Sequence, residues 1–180
     1  RQLFDTREAY WYTPESALYG QGNAEYSAEN PPYGATFTYY LKENLKSMKA
    51  MRKEQEKELA KEDKDIPFPG WDTLEDEVRQ EEPGIYLTVK DSDGKILRTI
   101  KGKNSKGINR VSWDLRLASR EVERIDNPRG GGSSIKAVPG TYTVTLSKME
   151  DGQWTDLAGP KEFEVVPLEE GSLPGASYEE

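Results

Sequence analysis

Cysteine and histidine are both absent from this 180-residue chain. Their absence removes disulfides, Cys/His zinc sites, thiol nucleophiles and His-based triads together. Apolar residues are scarce. The hydrophobic fraction is 34% against 32% charged, which predicts a lean core, much solvated surface and part of the chain outside the packed body. No apolar run approaches the roughly 20 residues that span a bilayer as a helix, so membrane insertion is not expected. Positive charge is in deficit: 25 Lys and Arg face 33 Asp and Glu, for a net charge of −8. An acidic surface repels a phosphate backbone, so nucleic acid is not expected as a partner. The first residue is Arg1 rather than Met, which reads as a fragment or a processed product.

What is present reads as short strands interrupted by helix. Residues 1–34 lack periodicity but hold Tyr10-Trp11-Tyr12, Pro14, Gly20, Gly22 and Asn30-Pro31-Pro32. This predicts an irregular, extended arm pinned by its rings, since aromatics bury much area per residue. Ala35, Phe37, Tyr39 and Leu41 alternate with polar neighbours at the period of a half-buried strand. Residues 43–64 are rich in Glu, Lys, Met, Ala and Leu without Gly or Pro, and predict a long charged helix. Glu54 with Lys57, and Glu58 with Lys61, are spaced to pair along it. Asp72 followed by Glu75 resembles a capping box opening a short helix through about Arg79. From residue 84 onward alternation resumes: Ile85, Leu87, Val89; then 95–101; then Asn109, Val111, Trp113, Leu115; then Tyr142, Val144, Leu146; then a return through Trp154; and finally Phe163 and Val165. Seven short strands without a βαβ rhythm predict a mainly β fold, an antiparallel immunoglobulin or fibronectin type III-like β-sandwich with an inserted α-helix. The expected organisation is an aromatic arm over 1–34, a sandwich over 35–167 interrupted by a helical insertion over 43–80, and a tail over 168–180. Residues 117–138, with Gly130-Gly131-Gly132, read as a long loop and flexible tether.

Few residues suggest chemistry. Asp91 and Asp93 in Asp-Ser-Asp-Gly are weak calcium candidates. Calcium takes six to eight oxygens, and a hairpin turn accounts for the four residues better. Asp114 with another acid could form a glycosidase pair, but 33 carboxylates make some pairing inevitable and no pocket signature accompanies it. No Gly-x-Ser-x-Gly occurs, and the glycine triplet lacks the Lys-Ser/Thr and helix of a phosphate loop. Tyr10, Trp11, Tyr12, Trp71 and Trp154 could stack on sugars. The competing reading, that they close the fold or pin the arm, is favoured because rings bury when they can. No cofactor is expected.

Four segments together resemble a known family. They are Asn30-Pro31-Pro32-Tyr33-Gly34-Ala35-Thr36-Phe37-Thr38-Tyr39-Tyr40-Leu41-Lys42 before the Lys/Glu helix, Ile66-Pro67-Phe68-Pro69-Gly70-Trp71 after it, Gly107-Ile108-Asn109-Arg110-Val111-Ser112-Trp113-Asp114-Leu115-Arg116, and Pro139-Gly140-Thr141-Tyr142-Thr143-Val144. In this order they resemble the C-terminal region of large exported bacterial proteins with sortilin-like β-propellers built of bacterial neuraminidase repeats, often labelled glycosyl hydrolases. The likeness covers about residues 1–167. Its Trp-Asp and Pro-Gly-Thr-Tyr pieces also occur in immunoglobulin-like domains such as that of the flagellar hook-capping protein. The resemblance implies a β-propeller N-terminal to Arg1 as partner, a periplasmic or extracellular location, and continuation past residue 180 into a helical segment. It brings no active site to these residues. The expected function is therefore a non-catalytic accessory module packed on the propeller through its aromatic arm and inserted helix. The alternatives are a carbohydrate-binding module and a fragment of a carboxylate-dependent glycoside hydrolase.

Overall fold

The computed structural model describes residues 1–13, 31–118 and 135–168. It is mainly β, with two sheets and two helices. The strands are β1 (Gln2–Leu3), β2 (Ala9–Trp11), β3 (Ala35–Leu41), β4 (Gly84–Lys90), β5 (Ile96–Lys101), β6 (Gly107–Trp113), β7 (Gly140–Glu150) and β8 (Gln153–Pro167). Helices α1 (Met48–Lys61) and α2 (Trp71–Arg79) lie between β3 and β4. One sheet has the order β1-β3-β6 and the other β2-β8-β7-β4-β5. Pairing is antiparallel throughout, except that β2 runs parallel to β8.

The period-two pattern in the sequence fixes which side chains turn inward. Ala35, Phe37, Tyr39 and Leu41 of β3 are buried, as are Ile85, Leu87 and Val89 of β4, and Tyr142, Val144 and Leu146 of β7. Trp113, Leu115, Phe163 and Val165 complete one hydrophobic cluster fed by both sheets. The Phe37 ring of β3 stands edge-on to Phe163 of β8, with centroids 5.2 Å apart. Trp113 of β6 meets Tyr142 at 5.8 Å and Phe163 at 6.3 Å, both edge-on. These T-shaped contacts match the ring quadrupoles and join one sheet to the other. Gly34 is required beside them. Its φ of +98° and the Trp113 carbonyl oxygen, 1.9 Å from where a Cβ would sit, leave no room for a side chain.

Four expectations need correction. The arm is not irregular over its described part: Gln2 and Leu3 pair with Tyr40 and Tyr39, and Ala9–Trp11 pair with Val165–Pro167. Strands of two and three residues are too short to show a period; partners supplied by β3 and β8 create them. The helix is shorter than 43–64. Residues before it are bound elsewhere, Leu45 N–H to the Asn104 carbonyl (2.9 Å) and Asn44 Oδ1 to Lys106 N–H (2.6 Å), so the helix begins only where Ser47 Oγ accepts from Ala50 N–H. It stops at Glu62, after which Asp63 takes a φ of 51°. Asp72 caps nothing: it lies inside α2, whose N-cap is Gly70 without a side-chain bond. The final two expected strands are one, β8, with register shifts opposite Val144 and Leu146. The 168–180 tail beyond Leu168, and the Gly130-Gly131-Gly132 tether, lie outside the described residues.

Tyr142 also anchors the entry to β7. Its hydroxyl donates to the Val138 carbonyl just upstream, across Pro139-Gly140. Replacing Tyr142 with Phe keeps the ring packing and removes that bond. It should cost about 1 kcal/mol in a urea titration, with no change in the sheet spectrum. Burial also pushes the Tyr142 phenol above its ordinary value, with nearby Asp91 adding to the rise. Burial likewise raises Tyr39, partly opposed by its bond to the Lys103 carbonyl. The unfolded chain then loses these protons first as pH rises. Stability from both groups is complete below pH about 10 and declines above it. Urea midpoints measured from about pH 8 to 11.5 should fall only above that point.

Candidate functional site

Three segments distant in sequence converge where the arm meets the end of β8. Trp11 holds the junction. Its indole N–H donates to the Ala137 carbonyl at 2.8 Å, and its own carbonyl accepts from Leu168 N–H at 3.1 Å. Lys136 closes it. Its ammonium donates to the Tyr12 carbonyl (2.9 Å) and Thr13 Oγ1 (3.3 Å), while standing 5.6 Å from the Trp11 ring centroid and 5.5 Å from that of Tyr33. Tyr12 and Tyr33 meet edge-on at 4.9 Å. A cation between two ring faces, with its protons satisfied by chain oxygens, is a stable arrangement at a half-buried site.

The junction is wrapped in exposed apolar side chains. Tyr10 is 51% exposed, Ile135 72%, and Tyr12, Val138 and Leu168 are all exposed too. Their positions follow from the backbone: Tyr10 sits opposite Val166 on β2, Leu168 is bonded to Trp11, and Ile135 and Val138 flank the Lys136-Ala137 pair. Isolated exposed hydrophobics are ordinary; these five lie on three segments that meet at one junction.

The other sequence candidates are placed elsewhere. Trp154 lies near the start of β8, the end opposite to Tyr10, with its ring 4.8 Å from that of Tyr86 and tilted 49° to it. Trp71 is on α2. The structure therefore brings Trp11, Tyr12 and Tyr33 together around Lys136, with Tyr10 beside Trp11 on β2, and leaves Trp154 and Trp71 apart, so the rings form no single row. Trp11 is pinned, as the arm reading expects, whereas Tyr10, Trp71 and Trp154 remain exposed. Asp91 Oδ1 accepts from the N–H groups of Asp93 (3.1 Å) and Lys95 (2.8 Å), which is the turn role. Among the described residues no group of three or more acidic side chains is placed to hold a metal. Asp114 is half-exposed and accepts from Arg116 N–H at 3.1 Å. A cleft of about 570 Å³ beside the start of α1 contains Glu43, Glu54 and Glu150 above Leu41, Ile85 and Leu157. Two of its three acids are matched with bases: Glu54 binds Lys46, and Glu150 binds Lys148 at 2.5 Å. The Lys46 hydrogen bond and charge hold Glu54 below the usual carboxylate range.

Lys136, Tyr33, Ile135, Val138 and Leu168 were not identified from sequence. The one local signal was Ile135-Lys136-Ala137-Val138, an apolar run broken by one lysine just before Pro139-Gly140. Lys136→Met should loosen the arm without unfolding the sheets. The loss is about 1 kcal/mol for the cation–ring contact. Hydrogen exchange should quicken at Ala9–Trp11 and Leu168 while β4 and β7 keep their protection.

Comparison of the chain with protein-family models, curated proteins and solved structures finds no match to it.

Proposed function

We propose that this chain is a non-catalytic interaction module, an immunoglobulin-like β-sandwich of the fibronectin type III kind, whose surface around the N-terminal arm docks on a neighbouring domain. The observation that carries the reading is the apolar collar of Tyr10, Tyr12, Ile135, Val138 and Leu168 around a rigid junction. The sandwich part has its own support. An arm that pairs antiparallel with one sheet and then parallel with the last strand of the other is how an immunoglobulin-type first strand changes sheets. Tyr142 bonding back across a corner before its strand parallels the tyrosine corner of such domains.

The neighbour implied by the family resemblance is a β-propeller of the same exported protein, in the periplasm or outside the cell. A preorganised patch suits it. The arm is already fixed by Trp11 and Lys136, so little ordering remains to oppose docking. Catalysis by these residues is disfavoured by the chemistry of the cleft. A glycosidase needs one carboxylic acid kept protonated near neutral pH, whereas Lys46 stabilises the charged form of Glu54. Sugar binding on a flat platform is disfavoured by the placement of Trp154 far from the arm rings.

In the longer protein, Tyr10→Asp with Ile135→Asp should lower the protection of this surface to that of the isolated chain. Hydrogen exchange on the isolated 180 residues and on the parent protein measures this. Equal exchange at Ala9–Trp11 and Ile135–Val138 in both would count against the docking role. Turnover of a glycoside by the isolated chain, or its retention on a glycan array, would replace the reading with one of its alternatives.

A further inference from the structure

Among the described residues, nothing covers one face of the helical insertion. α1 and α2 form an antiparallel hairpin tied at two levels: Met48 N–H donates to Gln80 Oε1 (2.8 Å), and Arg52 grips Glu77 through Nε–Oε1 (2.6 Å) and Nη2–Oε2 (2.9 Å). Arg52 also binds Glu56. The fork-to-fork geometry fixes the helices side by side, yet neither helix has a single buried residue. On α2, Trp71, Leu74 and Val78 follow the i, i+3, i+7 spacing of one apolar face. Trp71 is 78% exposed and Val78 84%, and Phe68 adds its ring 5.3 Å from that of Trp71.

The surroundings of this stripe show what fits it. Arg52 turns toward α2 and Glu77 toward α1. At about 100° per residue, Trp71, Leu74 and Val78 then share one side of the hairpin with Lys49 and Lys53 of α1. These two lysines help hold Glu77 below the ordinary carboxylate range, after the larger effect of its Arg52 bond. On the opposite side only the start of α1 meets the sheets, where Met51 and Glu54 line the cleft with Leu41, Ile85 and Leu157; farther along, that side forms a groove between the helices and the Ile66-Pro67 turn. The outward side thus has a basic half, continued by exposed Lys57, and an apolar half with exposed Asp72 and Glu75 at its far rim.

We propose that this face binds a second copy of itself, forming a symmetric dimer in which two hairpins stack as a four-helix bundle. A two-fold interface needs a surface complementary to itself. Stacking each α2 over the partner's α1 supplies this: the Trp71-Leu74-Val78 stripe lies along the lysine stems, and the lysine heads reach the partner's acids. Lysine stems cover apolar surface well while their charges stay solvated. An anionic surface of any other kind would meet the lysines but be repelled by Asp72 and Glu75. A basic surface would meet the reverse. At about 1.5 Å per residue α1 is about 21 Å long and α2 about 14 Å, and at about 10 Å width each the hairpin face covers roughly 350 Å² before side-chain relief. That is below the about 800 Å² per partner of a standard interface and in the range of weak ones, so the dimer is expected to dissociate at about 100 μM.

Sedimentation equilibrium on the full 180-residue chain tests this over about 1 to 500 μM. The expected mass rises from one chain toward two across that range. Val78→Glu and Trp71→Glu should each weaken the dimer at least about tenfold. Because both side chains are exposed in the single chain, its melting temperature at low concentration should stay the same. Lys53→Glu should weaken association, and the paired Lys53→Glu, Glu75→Lys swap should restore part of it. A monomer at every concentration overturns the proposal. So does a dimer indifferent to Val78→Glu and Trp71→Glu. Sedimentation of a monomeric chain with vesicles of anionic lipid, lost in Trp71→Glu, would assign the stripe to a lipid surface and overturn it as well.

Discussion

Two sheets of this composition stay together because four rings meet between them. Phe37 and Trp113 come from the three-stranded sheet, and Tyr142 and Phe163 from the five-stranded one. With only 34% hydrophobic residues the chain has few large side chains to place. Burying a ring withdraws more area from water than any aliphatic residue does, so concentrating the rings at one level supplies much of the attraction available. Among the other inward positions, Leu87, Val89, Val144 and Leu146 extend that contact within the five-stranded sheet. Everything outside this layer can be charged, and largely is.

The arm depends on the same contact. It reaches β8 only because the sheets are already side by side, and it crosses from one to the other within a few residues. Leu3 and Ala9 are buried at either end of the crossing. Its pairing is so short that backbone bonds alone would hold it weakly. The Trp11 indole and the Lys136 ammonium supply side-chain bonds to the opposite segment in each direction. This explains why the segment looks irregular in sequence and yet is fixed in the fold: its order comes from long-range partners.

The same distinction decides what could be read in advance. β3, β4, β6 and the first half of β7 were legible because each alternates for seven or so residues, long enough for period two to separate buried from exposed. β8 reads as two pieces in the sequence because Ala158-Gly159-Pro160 breaks its alternation, although the backbone continues past Gly159 with a register shift. The start of α1 is not legible because helix propensity continues back through Glu43, while Asn44 and Leu45 are held by Lys106 and Asn104 from another part of the chain. Of the site, the three arm aromatics were visible as an unusual cluster. Lys136 and Leu168 were not, since nothing local marks a lysine that will lie between two rings.

The position of the helical insertion carries the last step. It leaves β3 and returns to β4, which lie in different sheets, and both ends of it are tied to the body: Leu45 to Asn104, and Gln80 Nε2 to Asp151 at 2.9 Å. The sheets complete their hydrophobic cluster from their own strands, with only Leu45 of the insertion packed against it. A simple connection would need far fewer residues than the 43–80 stretch, and surplus chain ordered without burial costs about 1–2 kcal/mol per residue in backbone entropy. Helix bonds and the Arg52–Glu77 fork offset part of that cost, but neither requires an exposed Trp71 or Val78. Polar residues at those positions would serve a solvated helix as well. The apolar stripe is therefore a feature that the fold of the single chain does not explain and that the proposed dimer would bury.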